Sequence, residues 1–203
     1  MAYEATNLQV TKQQYSNSSN TVAFSFAWTR GSDPGGNPLG AQYLDIDTSP
    51  NFDSPYVVNT RLGNSDTVYT SSGHAPNDGM LYWRVNTFWD FGIYGSDWFP
   101  SVVRSFRVFS PASGVQVGFR DDPDGTYTAL LGFTPANMGQ MYLDVTDDPN
   151  FGQYSGFALD PGQSRAEVNK LVLGHTYYAR ITTKSPWNEW AIPNSAKTGA
   201  FSH

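Results

Sequence analysis

Tyr43-Leu44-Asp45-Ile46-Asp47-Thr48-Ser49-Pro50-Asn51-Phe52 returns later in the chain as Tyr142-Leu143-Asp144-Val145-Thr146-Asp147-Asp148-Pro149-Asn150-Phe151. The Tyr, Leu, Asp, Pro, Asn and Phe positions are identical, and an echo of this kind marks a duplicated structural unit. Two further matches keep the order: Tyr82-Trp83-Arg84-Val85 with Tyr178-Ala179-Arg180-Ile181, and Asp97-Trp98 with Glu189-Trp190. Their nearly constant spacing defines a tandem repeat slightly under about a hundred residues long, the size of a small domain. The boundary is expected in Ser110-Pro111-Ala112-Ser113-Gly114, where proline and small polar residues separate Ser105-Phe106-Arg107-Val108-Phe109 from Val115-Gln116-Val117. Residues 1–110 then form a first unit with an N-terminal segment. Residues 111–203 form the second, joined to the first by a short linker.

Within each unit the hydrophobic period is two. Val22, Phe24, Phe26 and Trp28 alternate with Ala23, Ser25, Ala27 and Thr29, giving a strand with one apolar face. Tyr127, Ala129, Leu131 and Phe133 repeat the pattern. Leu44 and Ile46 alternate with Asp45 and Asp47, and Met141, Leu143 and Val145 with Tyr142 and Asp144, so both acidic sets are expected to point outward. Asp33-Pro34-Gly35-Gly36, Asn77-Asp78-Gly79 and Asp124-Gly125 read as turns. Apart from a short turn near Arg165 to Leu171, no segment has a helical pattern. Many short strands in units of this length imply an all-β chain of two antiparallel sandwiches.

On these residues each unit resembles a fibronectin type III domain of the bacterial and phage kind. The resemblance rests on an aromatic ending the second strand, Trp28 or Phe133, and on the turns Pro50-Asn51-Phe52 and Pro149-Asn150-Phe151. A sixth strand running from Leu81 or Tyr177, and a Trp near the last strand, Trp98 or Trp190, complete it. It covers nearly the whole chain and implies two tandem fibronectin type III-like, immunoglobulin-like sandwiches. By the resemblance Tyr177 occupies the tyrosine-corner position, where a phenol hydroxyl bonds backbone. Leu81 stands there in the first unit, whose corner is therefore expected to lean on the packing of Trp28 and Trp83.

Composition removes several chemistries. The 203 residues carry 12 Lys+Arg against 18 Asp+Glu, a net charge of −6, which argues against a nucleic-acid surface. There is no cysteine, so disulfides, Fe–S clusters and thiolate metal sites are excluded. No run approaches the roughly 18 apolar residues of a membrane span, so no membrane insertion is expected. Met1-Ala2-Tyr3-Glu4 begins no signal-peptide pattern, and an export signal is not expected. Gly-x-Ser-x-Gly and the phosphate-binding glycine patterns are missing, and His74 and His175 fall in different units, read as solvated loop residues. Asp121-Asp122-Pro123-Asp124-Gly125 and Asp147-Asp148 lack the spacing of a calcium loop and read as turns. No catalytic residue, cofactor or metal ligand is assigned, and the chain is read as not an enzyme.

Aromatic loops supply the functional hint. Phe88-Trp89-Asp90-Phe91-Gly92-Ile93-Tyr94 and Pro186-Trp187-Asn188-Glu189-Trp190 precede the last strand of each unit, where such loops can carry recognition. Trp89, Phe91, Tyr94, Trp187 and Trp190 are the candidate contact surface, with Trp89 and Trp187 first. A packing role instead has Trp98 and Trp190 covering a sheet edge. The expected function is that of a non-catalytic structural or adhesive protein, a phage virion component such as a decoration, head-fibre or tail-associated subunit on the virion surface. The alternative is a fragment of a secreted or cell-surface adhesin or glycoside hydrolase, serving as spacer or carbohydrate-binding module. Partners are expected to be protein subunits of a larger assembly or a cell-surface glycan. The polar stretch Lys12 to Asn20 is longer than a turn requires; part of Met1 to Asn20 is expected to dock on a neighbouring subunit, and deleting the residues before Leu8 is expected to weaken assembly without unfolding either sandwich.

Overall fold

Alternating residues bury themselves only where a second sheet covers them, and the computed structural model, which describes residues 3–54, 56–77 and 79–203, shows two such sheet pairs. In the first unit β1 (Thr6–Ser16), β2 (Thr21–Thr29) and β5 (Val68–Thr70) form one sheet in the order β1-β2-β5. The other runs β4 (Val58–Leu62), β3 (Leu39–Asp47), β6 (Met80–Asp90), β7 (Ser96–Pro100), with β8 (Arg104–Arg107) also paired to β6. The second unit repeats this plan. There β9 (Ser113–Asp121), β10 (Thr126–Thr134) and β13 (Arg165–Val172) make the order β13-β10-β9. Its other sheet runs β12 (Ser155–Leu159), β11 (Gln140–Thr146), β14 (Tyr178–Lys184), β15 (Trp190–Ala191). Each is an antiparallel fibronectin type III-like sandwich. Asp78 of the expected turn, and Met1 and Ala2 of the N-terminal segment, lie outside the described residues.

The chain divides into Met1–Gln13 with Val22–Val108, and Gln14–Thr21 with Phe109–His203. Residues expected to form a linker are built into the second unit. Ser110 and Asn137 exchange two hydrogen bonds, and the Ala112 amide donates to the Thr183 hydroxyl at 3.1 Å. The polar stretch Lys12 to Asn20 is the end of β1 and its turn into β2. Within the second unit Asn17 accepts from the Ile192 amide at 2.7 Å, and Tyr15 packs edge-on against Phe109. Residues ahead of Leu8 are likewise structural. The Tyr3 carbonyl accepts from the Thr87 hydroxyl and the Trp89 indole, both at 2.9 Å, and its ring stacks on Phe99. Gly31 is required opposite it, because a Cβ there would collide with the Tyr3 carbonyl oxygen.

The inner faces follow the period-two reading. Val22, Phe24, Phe26 and Trp28 of β2 are buried with Leu44, Ile46, Trp83 and Val85, and the Phe26 and Trp83 rings lie 4.5 Å apart. In the second unit Tyr127, Ala129, Leu131 and Phe133 pack with Met141, Leu143, Val145, Ala179 and Ile181. The short turn expected near Arg165 to Leu171 is strand β13. An irregularity there hides the alternation, since Lys170 has φ 62° and the pairing with β10 shifts register between Tyr127 and Ala129. Ala166 and Leu171, five residues apart, both reach the core as a result, one residue out of phase with strict alternation. At the corner, the Val172 amide donates to the Tyr177 hydroxyl at 3.2 Å, while Leu81 fills the first unit's position with packing alone.

Three predictions follow from this packing. Trp83→Ala should destabilise the first unit by about 3 to 5 kcal/mol in urea unfolding, because its ring is wholly buried. Deleting the residues ahead of Leu8 should lower the stability of that unit by about 2 to 4 kcal/mol, since the Thr87 and Trp89 donors lose their acceptor and Phe99 its stacked ring. Acid should also weaken the fold: Asp33, Asp124 and Asp148 are held below the ordinary carboxylate range by hydrogen bonds from Gly35, Thr126 and Asn150 respectively. A depressed folded pKa gives stability that is present above about pH 4 and lost as pH falls toward that lower value. Urea midpoints measured between about pH 2 and 6 should therefore drop only in the acid part of that range.

Candidate functional site

Asp45 stands directly across from Arg84 on β6 and from Asn59 on β4. Side chains at i and i+2 share a face, so Tyr43, Asp45 and Asp47 lie on the side of β3 away from Leu44 and Ile46. The sequence reading placed these aspartates outward, but Asp45, Asp47 and Asp144 are all buried. The outward face is covered by neighbouring side chains. Asp45 accepts from Arg84 Nε at 3.0 Å, Asn59 Nδ2 at 2.7 Å and Asn86 Nδ2 at 2.5 Å. Asp47 is pushed up by burial, yet bonds from Ser54 and from the Ser49 and Thr48 amides outweigh this and hold its carboxyl below the usual range.

The Pro-Asn-Phe turn completes the cover. Phe52 turns left-handed at φ 56° and sets its ring 4.1 Å from the Arg84 guanidinium carbon. A positive φ at a bulky residue costs on the order of 1 to 3 kcal/mol, so the surrounding contacts must hold it there. Tyr43, Tyr56 and Trp98 stand around the pair, with Trp98 edge-on to Tyr43 at 5.7 Å. Together with Asn59, Asn86 and Pro100 they enclose a cleft of about 450 Å³, within the range of small-ligand sites.

The second unit builds the same cleft. Asp144 lies opposite Arg180 and accepts from its Nε at 2.8 Å. Phe151, at φ 54°, lies 4.3 Å from that guanidinium, and Tyr154 lies 5.1 Å from it. Tyr142 and Trp190 form the remaining aromatic wall, 5.5 Å apart, around about 470 Å³. Gly156 and Thr182 take the places of Asn59 and Asn86 across the strands. Burial pushes the Asp144 carboxyl above its ordinary range, and the Arg180 hydrogen bond and charge offset part of that rise.

The candidate contact residues differ in their exposure. Trp89 is buried and committed to the Tyr3 carbonyl, which removes it as an exposed contact. Phe91 is half-buried, edge-on to Tyr3 and Phe99, and Trp187 is half-buried. Tyr94 is 87% exposed on the short 3-10 turn Gly92–Tyr94 beside Ile93. Trp190 lines the second cleft, 49% exposed, and Trp98 lines the first at 48%, each on the last strand of its sheet. The match of Asp97-Trp98 to Glu189-Trp190 was the available signal for this pair, as the repeated Arg84 and Arg180 were for the floor. His74 is not a solvated loop residue: it is half-buried, its ring stacks on Phe24 at 4.9 Å, and burial lowers its pKa. His175 is exposed, 3.4 Å from Asp147. Among the described residues no group of three or more His, Cys, Asp or Glu is placed to hold a metal ion.

No protein-family model and no curated protein matches the sequence. Among solved structures the chain is similar to a two-domain fibronectin type III segment of chicken tenascin, at 15% identity and TM-score 0.40, covering 98% of this chain and 99% of that one. It is also similar to the FN1–FN3 domains of chicken CNTN1, at 8% identity and TM-score 0.40, covering 97% of this chain and 65% of that one.

The floor pair has a measurable consequence. Asp45→Asn removes the charge that balances a guanidinium largely withdrawn from water, with Arg84 at 24% side-chain exposure. Urea unfolding should show a loss of about 2 to 3 kcal/mol in the first unit, discounted for that exposure.

Proposed function

We propose that this chain is a non-catalytic structural and adhesive protein, carried on the surface of an assembled particle as a phage virion component of the decoration, head-fibre or tail-associated kind. The observation that carries the binding role is the repeated cleft, built on the outer face of both sandwiches, where neither core requires it. Among the described residues the only carboxylate lining each cleft, Asp45 or Asp144, is already bonded to an arginine, which leaves it ill suited to act as a base or nucleophile. Burying an ion pair does little for stability compared with burying apolar residues of the same volume, so its presence in both units favours recognition over packing. An acidic, cysteine-free chain whose cores need no disulfide suits assembly in a reducing cytosol and display in water.

Quantitative mass spectrometry across purified particles, cell envelope and culture medium from the source tests this reading. Enrichment in particles at a constant copy ratio to the main shell or tube protein is the expected result. Recovery from envelope or medium as part of a longer chain would overturn the particle assignment in favour of a secreted module.

A further inference from the structure

We infer that the two clefts are two copies of one glycan site, each taking a neutral pyranose ring against the wall formed by its tryptophan and tyrosines; this rests on the adhesive reading above and names its ligand. Four features point to that chemistry. The walls are aromatic and partly exposed: Trp98, Tyr43 and Tyr56 in the first cleft, Trp190, Tyr142 and Tyr154 in the second. Such rings offer flat apolar faces beside polar tips, which suits the C–H face of a sugar and its hydroxyls together.

The floor is charge-neutral. Asp45 with Arg84, and Asp144 with Arg180, cancel within hydrogen-bond distance, so an anion or a cation would have to compete with an existing partner. A neutral ligand leaves the pair intact.

The floor also offers donors and acceptors side by side. Arg84 bonds Asp45 through Nε, and its two terminal nitrogens have no partner among the described residues. An ionised carboxylate only accepts, so Asn59 and Asn86 must turn their amide nitrogens to Asp45, which leaves each carbonyl oxygen without a partner among the described residues. A hydroxyl donates and accepts at once, and matches such a mixed set better than a carbonyl or an ammonium. In the second cleft the Thr182, Tyr142 and Tyr154 hydroxyls stand with the Arg180 terminal nitrogens.

Finally, the floor is held rigid. The strained turns at Phe52 and Phe151 each set a ring against the guanidinium, which orients the donors before a ligand arrives.

Titration calorimetry of the full chain with maltohexaose, cellohexaose and mannohexaose, and with an oligogalacturonate as the anionic comparator, tests the assignment. At least one neutral hexasaccharide should bind at about two sites per chain, reduced to about one by Trp98→Ala or Trp190→Ala and abolished in the double variant. Both rings are half-exposed, and unchanged circular dichroism of the variants would show that folding is kept. Arg84→Lys retains the charge opposite Asp45 but loses the terminal fork, and should weaken the first site roughly tenfold or more. No binding of any neutral oligosaccharide at millimolar concentration overturns the inference, as does binding that survives the double variant or a preference for the oligogalacturonate. Loss of a purified shell or tube protein's binding in the double variant, with no sugar bound, also overturns it and makes the clefts protein contacts. Particle enrichment is read separately: a chain that enters particles but binds no sugar overturns only the ligand, and one that binds sugar but is absent from particles overturns only the particle assignment.

Discussion

The register between β3 and β6, copied between β11 and β14, is the constraint on which the remaining structure depends. Because side chains alternate strictly across a strand, setting Leu44 opposite Val85 and Ile46 opposite Trp83 in the core also sets Asp45 opposite Arg84 on the other face. A slip of one residue would expose the core set and bury the ion pair in its place. The same alternation puts Leu143 opposite Ile181 and Asp144 opposite Arg180. Core and cleft are two consequences of one pairing, and neither can drift without the other.

A sheet's outer face ordinarily meets water, and an aspartate there needs no partner. In both units it has been covered, and covering it has a physical cost that other groups must offset. Arginine supplies charge, the asparagines of the first unit supply further donors, and the Phe rings seal the guanidinium from the other side at the expense of backbone strain. The second unit reaches a similar result with fewer hydrogen bonds, Gly156 and Thr182 standing where the first has amides. Burial pushes its carboxyl above the ordinary range, and the Arg180 hydrogen bond offsets only part of that rise.

The aromatic residues divide by the same geometry. Trp83 and Trp28 lie on core faces. Trp89, in a stretch that reads as a loop, is the penultimate residue of β6 and is capped by the N-terminal Tyr3. Trp98 and Trp190 lie on the strands that follow, where they are open to solvent and close against tyrosines two strands away. Position along a strand, and not density of rings in a loop, decides which tryptophan can meet a ligand.

The duplication, the all-β class, and the strand faces of Val22 to Trp28 and Tyr127 to Phe133 were legible from residues alone, because each depends on local alternation or on a repeated string, while the Tyr177 corner came only from the resemblance to fibronectin type III domains. Strand β13 was not, since one left-handed residue at Lys170 breaks the alternation by which a strand is recognised. The role of the N-terminal segment was hidden because the partners of Tyr3, Thr87 and Trp89, lie more than eighty residues away. The clefts were half-visible: their residues recur in the sequence, yet a charged residue at an outward position reads as solvated. Only the tertiary structure could show the aspartates covered, because that depends on side chains from three strands and a turn meeting over one carboxylate. Sequence alone thus determined which residues share a face, through the fixed geometry of the extended chain, and tertiary structure decided what each face meets.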